Sequence, residues 1–225
     1  ANRRAKVITA FSMMYDLERP AEFMQEVAQV LDDDGLFIFE QSYLPLMLDR
    51  VAFDTICHEH LEYYGIRQID WLLDSSGLEA VDVELNDVNG GSFAVTAAHR
   101  SRFTPTKRLT ELRQSENGLW RDQQTSFAHF RQRSHATVQA LRNFVTTQRS
   151  AGKRIAGLGA STKGNVLLQA ANFGPDDISV IGDVNPDKHG RLTPGTWIPI
   201  VPESEALSDN YDYYIVLPWH FREFF

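Results

Sequence analysis

The chain has 225 residues, 43% hydrophobic and 23% charged, with a formal net charge of -8; that length buries a core in one large or two modest domains. The acidic balance excludes a nucleic-acid backbone or an anionic membrane as the main partner, because both require a basic surface. The single cysteine, Cys57, excludes an internal disulfide or a cysteine-rich zinc module and points to a reducing, cytoplasmic setting, while no apolar run reaches the roughly 18 residues of a membrane span.

Ala1-Asn2-Arg3-Arg4-Ala5-Lys6 leads into a strand rather than a signal-peptide core. Val7 to Ser12 reads as that strand, and Pro20 opens an amphipathic helix running to Leu31. Asp32-Asp33-Asp34-Gly35 is expected as a solvated turn, and Leu36 to Glu40 as a second strand. Strand, helix and strand then make one crossover unit of a parallel sheet. Glu40, Ser42 and Tyr43 fall at the carboxyl end of that strand, where open α/β sheets place their ligands. Further on, Gln68 to Ser76 reads as a helix stopped by Gly77, and Ala80 to Leu85 as a strand. Asn89-Gly90-Gly91 then turns the chain back into Ser92 to Ala98 as an antiparallel hairpin.

From Thr104 to Ser150, apolar residues recur at helical intervals: Leu109, Leu112, Leu119, Trp120, Phe127, Phe130, Val138, Leu141 and Phe144. They are expected to face a core, with Asn117-Gly118 dividing the stretch into two helices. Arg154 to Ser161 is a strand entering a glycine-bearing turn, and Lys163 to Ala170 a helix. Val180 to Pro186 and Tyr213 to Pro218 supply further strands, which together give a small Rossmann-like domain. Thr162 stands where the third glycine of a dinucleotide fingerprint would be, so no NAD is expected. Backbone amides and Lys163 at a helix N-terminus suit a phosphate or diphosphate instead. Asp183 suits either ribose hydroxyls or a turn cap.

The densest chemistry lies in Cys57-His58-Glu59-His60-Leu61-Glu62-Tyr63-Tyr64, which puts two imidazoles, two carboxylates and two phenols in one short segment. The residue four after His58 is Glu62, so the two histidines of a zinc-protease helix are absent. His58 and His60 are two apart, a spacing that shares a face in a strand and is nearly opposed in a helix. No metal is assigned to them. A polar turn whose histidines only satisfy backbone groups is the plain alternative. Cys57 is read as a small packed residue rather than a nucleophile.

Phe39-Glu40-Gln41-Ser42-Tyr43-Leu44-Pro45, the segment Phe53 to Tyr64, Asn86 to Ser92, and Gly157 to Asn165 follow one another in an order and spacing that resembles the sugar-nucleotide C-methyltransferases. These enzymes use S-adenosylmethionine to methylate a ring carbon of a keto sugar. The resemblance spans nearly the whole chain. It implies an α/β fold: a partial class I methyltransferase sheet, its closing half, over residues 1–103, a helical connector over 104–150, and the Rossmann-like domain over 151–225. It also implies a longer protein, truncated here at both ends. The main cofactor site and any zinc-binding segment would then lie in the missing N-terminal part.

The resemblance further implies that His60 removes the proton beside the sugar carbonyl, with Glu59 and His58 in the same catalytic segment. Tyr15, Tyr43, Tyr63, Asn89, Lys163 and Asn165 would contact the nucleotide sugar, and Ser12 and Met13 the S-adenosylmethionine. Cys57 stands where relatives often carry tyrosine, and Ser12-Met13-Met14-Tyr15 where they often carry Asn and His. These departures point to a different sugar or ring carbon. The alternative is a non-catalytic sugar-nucleotide-binding protein descended from such enzymes; an NAD-dependent epimerase or dehydrogenase fits the incomplete glycine fingerprint less well.

Overall fold

A computed structural model describes residues 3–219. The chain divides into two compact units: residues 1–52 with 58–130, and residues 53–57 with 131–225. Each is a sheet with helices, so the α/β class holds.

In the first unit, β1 (Ala5–Phe11) pairs parallel to β2 (Leu31–Ser42) across helix α1 (Pro20–Val30), which Pro20 opens from its first turn. The acidic run is not a free turn. It belongs to the start of β2, where the register slips between Ala5 and Val7, and Asp32 and Asp33 bind Lys6 and Arg4. After a six-residue helix α2 (Leu44–Asp49) and an irregular stretch comes helix α3 (Ile66–Ser75). The hairpin of β3 (Leu78–Asn86) and β4 (Ser92–His99) follows.

Strand β4 inserts between β2 and β3, giving the order β1-β2-β4-β3. Strand pleating puts Phe37, Phe39, Gln41 and Tyr43 on one face of β2, and all four are buried. Helix α4 (Lys107–Arg121) packs on β3 and α3, with Leu109 fully buried.

Helix α5 (Gln123–Ser150) begins only after Asp122, so the helical break falls later than Asn117-Gly118. The division into units falls within α5, after Phe130. Val138, Leu141 and Val145 of α5 pack into the core of the second unit. Phe127 and Phe144 are exposed rather than core-facing, and Phe144 meets the Tyr213 ring edge-on at 5.2 Å.

The second unit is built on an all-parallel sheet of β5 (Ile155–Leu158), β6 (Ile181–Asp183), β7 (Ile200–Pro202) and β8 (Tyr213–Val216). Its order is β7-β6-β5-β8, with helix α6 (Thr162–Ala170) after β5 and helix α7 (Glu203–Ser208) after β7. The first three strands run outward from β5 in one direction and β8 lies on its other side. That reversal makes the β5/β8 boundary the switch point, where the carboxyl ends of such strands leave a crevice.

Candidate active site

In the first unit the expected residues gather at the carboxyl ends of β1 and β2. The chain leaves β1 at Ser12, whose φ of 52° is left-handed, and the Ser12 amide donates to the Glu40 carbonyl at 2.8 Å. The Asn89 side-chain amide donates to the Ser12 hydroxyl at 3.3 Å. Met13 is half-buried against the core, and Met14 and Tyr15 are buried.

His58, Glu59 and His60 form neither a strand nor a helix but an irregular turn. The carbonyl of Tyr15 fixes the strap that follows them, accepting from the amides of Leu61 at 2.8 Å and Glu62 at 3.1 Å. The His60 ring lies against the Tyr15 ring, with centroids 4.4 Å apart. His58 projects outward, its side chain 83% exposed, and its Nε2 is 3.9 Å from the Glu59 carboxylate. Of the two histidines, His60 is therefore the one held in place. Tyr63 is half-buried beside it in the strap.

Asp16 is a member of this group that the sequence reading missed. Partial burial raises its carboxyl above the ordinary range, while His60 opposes that and Glu59 adds to it. The Asp16 carboxyl thus lies within electrostatic reach of both the His60 ring and the Glu59 carboxylate.

Tyr43 sits deeper than expected. It is 3% exposed, and its hydroxyl donates to the Glu116 carboxylate at 2.8 Å, so the phenol expected to face substrate is engaged inside the core. Burial, then the Glu116 charge, hold that phenol well above its ordinary pKa. Tyr64 is likewise raised by burial, with Glu62 adding to it, and its hydroxyl has no hydrogen-bond partner. Gln41 is fully buried on β2 with neither amide atom hydrogen-bonded. Unpaired buried polar atoms are costly, and an ordered water or a ligand is one way to satisfy them.

The second unit carries Lys163 and Asn165 in the first turns of α6, whose N-cap Ser161 accepts from the Gly164 amide at 3.0 Å. Lys163 is largely desolvated, which pulls its pKa below 10.5 against the opposing influence of Asp54 and Cys57. Asp54, 4% exposed, accepts from the Trp219 indole at 2.7 Å. The Asn165 Oδ1 is buried without a partner.

Asp183 caps rather than reaches outward. Its carboxylate accepts from the amides of Ala160 at 2.7 Å and Asn185 at 2.8 Å, and from Lys188 Nζ at 3.1 Å. It thereby pins the glycine-bearing turn after β5.

The lowered pKa of Lys163 has a sign that can be checked. Between that value and 10.5 the unfolded chain binds more protons than the folded one, so stability rises with pH across this window. Below the folded value the desolvation penalty is constant. The K163M variant is expected to lack this rise. Urea midpoints of wild type and variant from pH 7 to pH 10 should show the wild type gaining on K163M; a constant difference would mean the ammonium is well solvated.

Among the described residues no group of three or more His, Cys, Asp or Glu is placed to hold a metal ion, and no helix is long and apolar enough to cross a membrane.

These elements match known families in chain order. Residues 1–83 match the methyltransferase domain, and residues 87–225 the C-methyltransferase C-terminal domain. Over 205 residues the chain is 36% identical to C-methyltransferase NovU of Streptomyces niveus, covering 89% of this chain and 48% of that protein. The chain thus spans about half the length of that curated relative. Solved structures of a pericyclic reaction enzyme and of LepI in complex with SAM align over 44% of this chain and 27% of theirs, at 14% identity and a TM-score of 0.38. That likeness is too distant to bear on the site. The match over residues 87–225 takes in more than half of the chain, which therefore belongs to the C-methyltransferase C-terminal domain family, with a stretch of methyltransferase domain before it.

Proposed function

We propose that this protein acts in S-adenosylmethionine-dependent methylation of carbon on a nucleotide-linked keto sugar, through an enolate. The observation that carries the reading is the held imidazole of His60, tilted against the Tyr15 ring with centroids 4.4 Å apart and within electrostatic reach of the Asp16 carboxyl. An unperturbed imidazole titrates near pH 6.5, which suits a base that takes a carbon-bound proton at neutral pH.

In this reading His60 removes the proton from the carbon beside the sugar carbonyl, and the bonding pair moves into the ring as an enolate. The Asp16 carboxylate would stabilise the imidazolium that results, and the half-buried Tyr63 is a phenol in the same strap that would donate to the enolate oxygen. S-adenosylmethionine, when bound, supplies an electrophilic methyl group. The residues of this chain that suit it are Ser12 and Met13, because the left-handed Ser12 lifts the backbone off the end of β1 and its hydroxyl is held by Asn89.

By itself, the α6 N-terminus of the second unit is proposed as a phosphate or diphosphate site. A helix N-terminus with a cation suits a diphosphate, and the unpaired Asn165 Oδ1 is a buried acceptor that a hydroxyl or base N–H would satisfy. Neither a nucleic acid nor a membrane is proposed as partner, and a reducing cytoplasm is the proposed setting for the single free cysteine.

The test is mass spectrometry of the full-length protein incubated with S-adenosylmethionine and a panel of nucleotide 4-keto sugars in deuterated water. A methylated sugar, with deuterium washing into the neighbouring carbon of slow substrates, is the expected result. Nucleotide sugar bound but unchanged across the panel would replace this reading with the non-catalytic binding protein.

A further inference from the structure

Glu116 is the buried ionisable group that the proposed chemistry leaves unused. It is 3% exposed, and its carboxylate accepts four neutral donors: the Tyr43 hydroxyl at 2.8 Å, the Ile66 amide at 2.7 Å, the Arg67 amide at 3.1 Å and the Trp120 indole at 2.7 Å. The two amides are the first of α3, whose N-cap residue, Gly65, has no side chain to serve them. A cap supplied from 50 residues away takes the place of the usual local one. Gly65 is the residue that allows it, because a Cβ there would lie 2.7 Å from Glu116 Oε1.

What this carboxylate holds is the far end of the histidine strap. Gly65 directly follows Tyr64, whose backbone bridges Tyr43 and whose carbonyl accepts from the Leu44 amide at 2.8 Å. Glu116 thus fastens Tyr43 on one side of that bridge and the chain leaving Tyr64 on the other. The near end is fastened by the Tyr15 carbonyl, which accepts from Leu61 and Glu62. His60 directly precedes that second fastening. The strap is short, so a shift at either end moves the imidazole.

We propose that Glu116 is a positioning residue for the reaction, setting the place of His60 by capping α3 and locking the Tyr43–Tyr64 pairing. This rests on the assignment of His60 as the base. A carboxylate matches four donors with acceptor capacity on both oxygens, whereas a carboxamide turns an NH2 group toward two of them. E116Q therefore breaks the clamp at nearly constant volume.

The experiment compares full-length wild type, E116Q and Y43F. The readouts are sugar deuterium wash-in, KM for the nucleotide sugar, thermal midpoint, and the imidazole proton resonances of His60 by NMR. For E116Q, kcat for wash-in per folded molecule is expected to fall about 10-fold or more, with KM within about twofold and the His60 resonances displaced. The double variant E116Q/Y43F should lose no more than E116Q alone, since the hydroxyl acts only through the carboxylate. An unchanged kcat per folded molecule with unmoved His60 resonances overturns the proposal and leaves Glu116 a structural cap. Should E116Q not fold, Y43F, which keeps the carboxylate, carries the same comparison. If wild type itself neither exchanges nor methylates any sugar, the proposed reaction fails; His60 resonances displaced in E116Q would still establish the positioning, and unmoved ones would refute it.

Discussion

The H60A variant of the full-length protein is expected to lose methyl transfer and sugar deuterium wash-in together, each by about 100-fold or more, the usual value of a positioned general base. Its thermal midpoint and nucleotide-sugar affinity should change little. His60 is half-buried, and its described ring contact is with Tyr15 at the edge of the strap rather than in the core. Wash-in and methylation must fall in step, because the enolate precedes both. Methyl transfer within about threefold of normal would remove His60 from the role. Loss of methylation alone would move it from proton removal to a later step.

The second large effect concerns the fold of the second unit. Gly159 ends β5 with a φ of +83°, and a Cβ there would meet the Pro218 ring at 2.6 Å. The ring is stiff and follows directly on the buried Leu217, so it cannot swing aside. G159V adds a left-handed β-branched residue to that overlap, and the two costs together come to about 2–4 kcal/mol. Chemical denaturation should show the unit that contains β5 unfolding at markedly lower denaturant, with the other unit little changed. An unshifted transition would mean that the turn after β5 rearranges freely. That would also weaken the case for a fixed nucleotide site at α6, since the same turn leads into Ser161 and Lys163.

Much of this architecture could be read from residues close together in the chain. The β1-α1-β2 crossover, the α3 helix closed by Gly77, and the β3-β4 hairpin each carry their own period and punctuation, and all three formed, although β2 takes in the acidic run that was expected as a turn. Helix α2 was hidden because Pro45 in a six-residue segment reads as a turn. Gly118 was read as a breaker, yet its cost of about 1 kcal/mol relative to alanine is opposed by the bond between Glu116 and Trp120 that spans it. The short β7 and α7 lack enough residues to show a period.

The site was legible in part. His60 and its segment stood out by composition, but its partners did not. Asp16 lies far from His60 in sequence, and Glu116 is 73 residues from Tyr43 and 50 from Ile66. Within its own helix Glu116 looks like any other charged surface residue. Gly65, placed directly after a reactive segment, was the one local hint that something must approach the backbone there. Tyr43 misled for the converse reason: its place at the end of β2 suggested a ligand contact, whereas the pleat turns it to the same buried side as Phe39.

Strand β1 lies at one border of its sheet, paired to β2 alone, and on its outer face Val7 and Phe11 are 58% and 57% exposed. Hydrogen exchange is expected to see β1 as half a strand. Among the described residues every second amide of β1 points away from β2 and should trade its proton faster than those between them, which wait for the sheet to open. One seven-residue element should therefore carry both protected and unprotected backbone protons. A partner strand laid along that border would be recorded as the disappearance of the alternation.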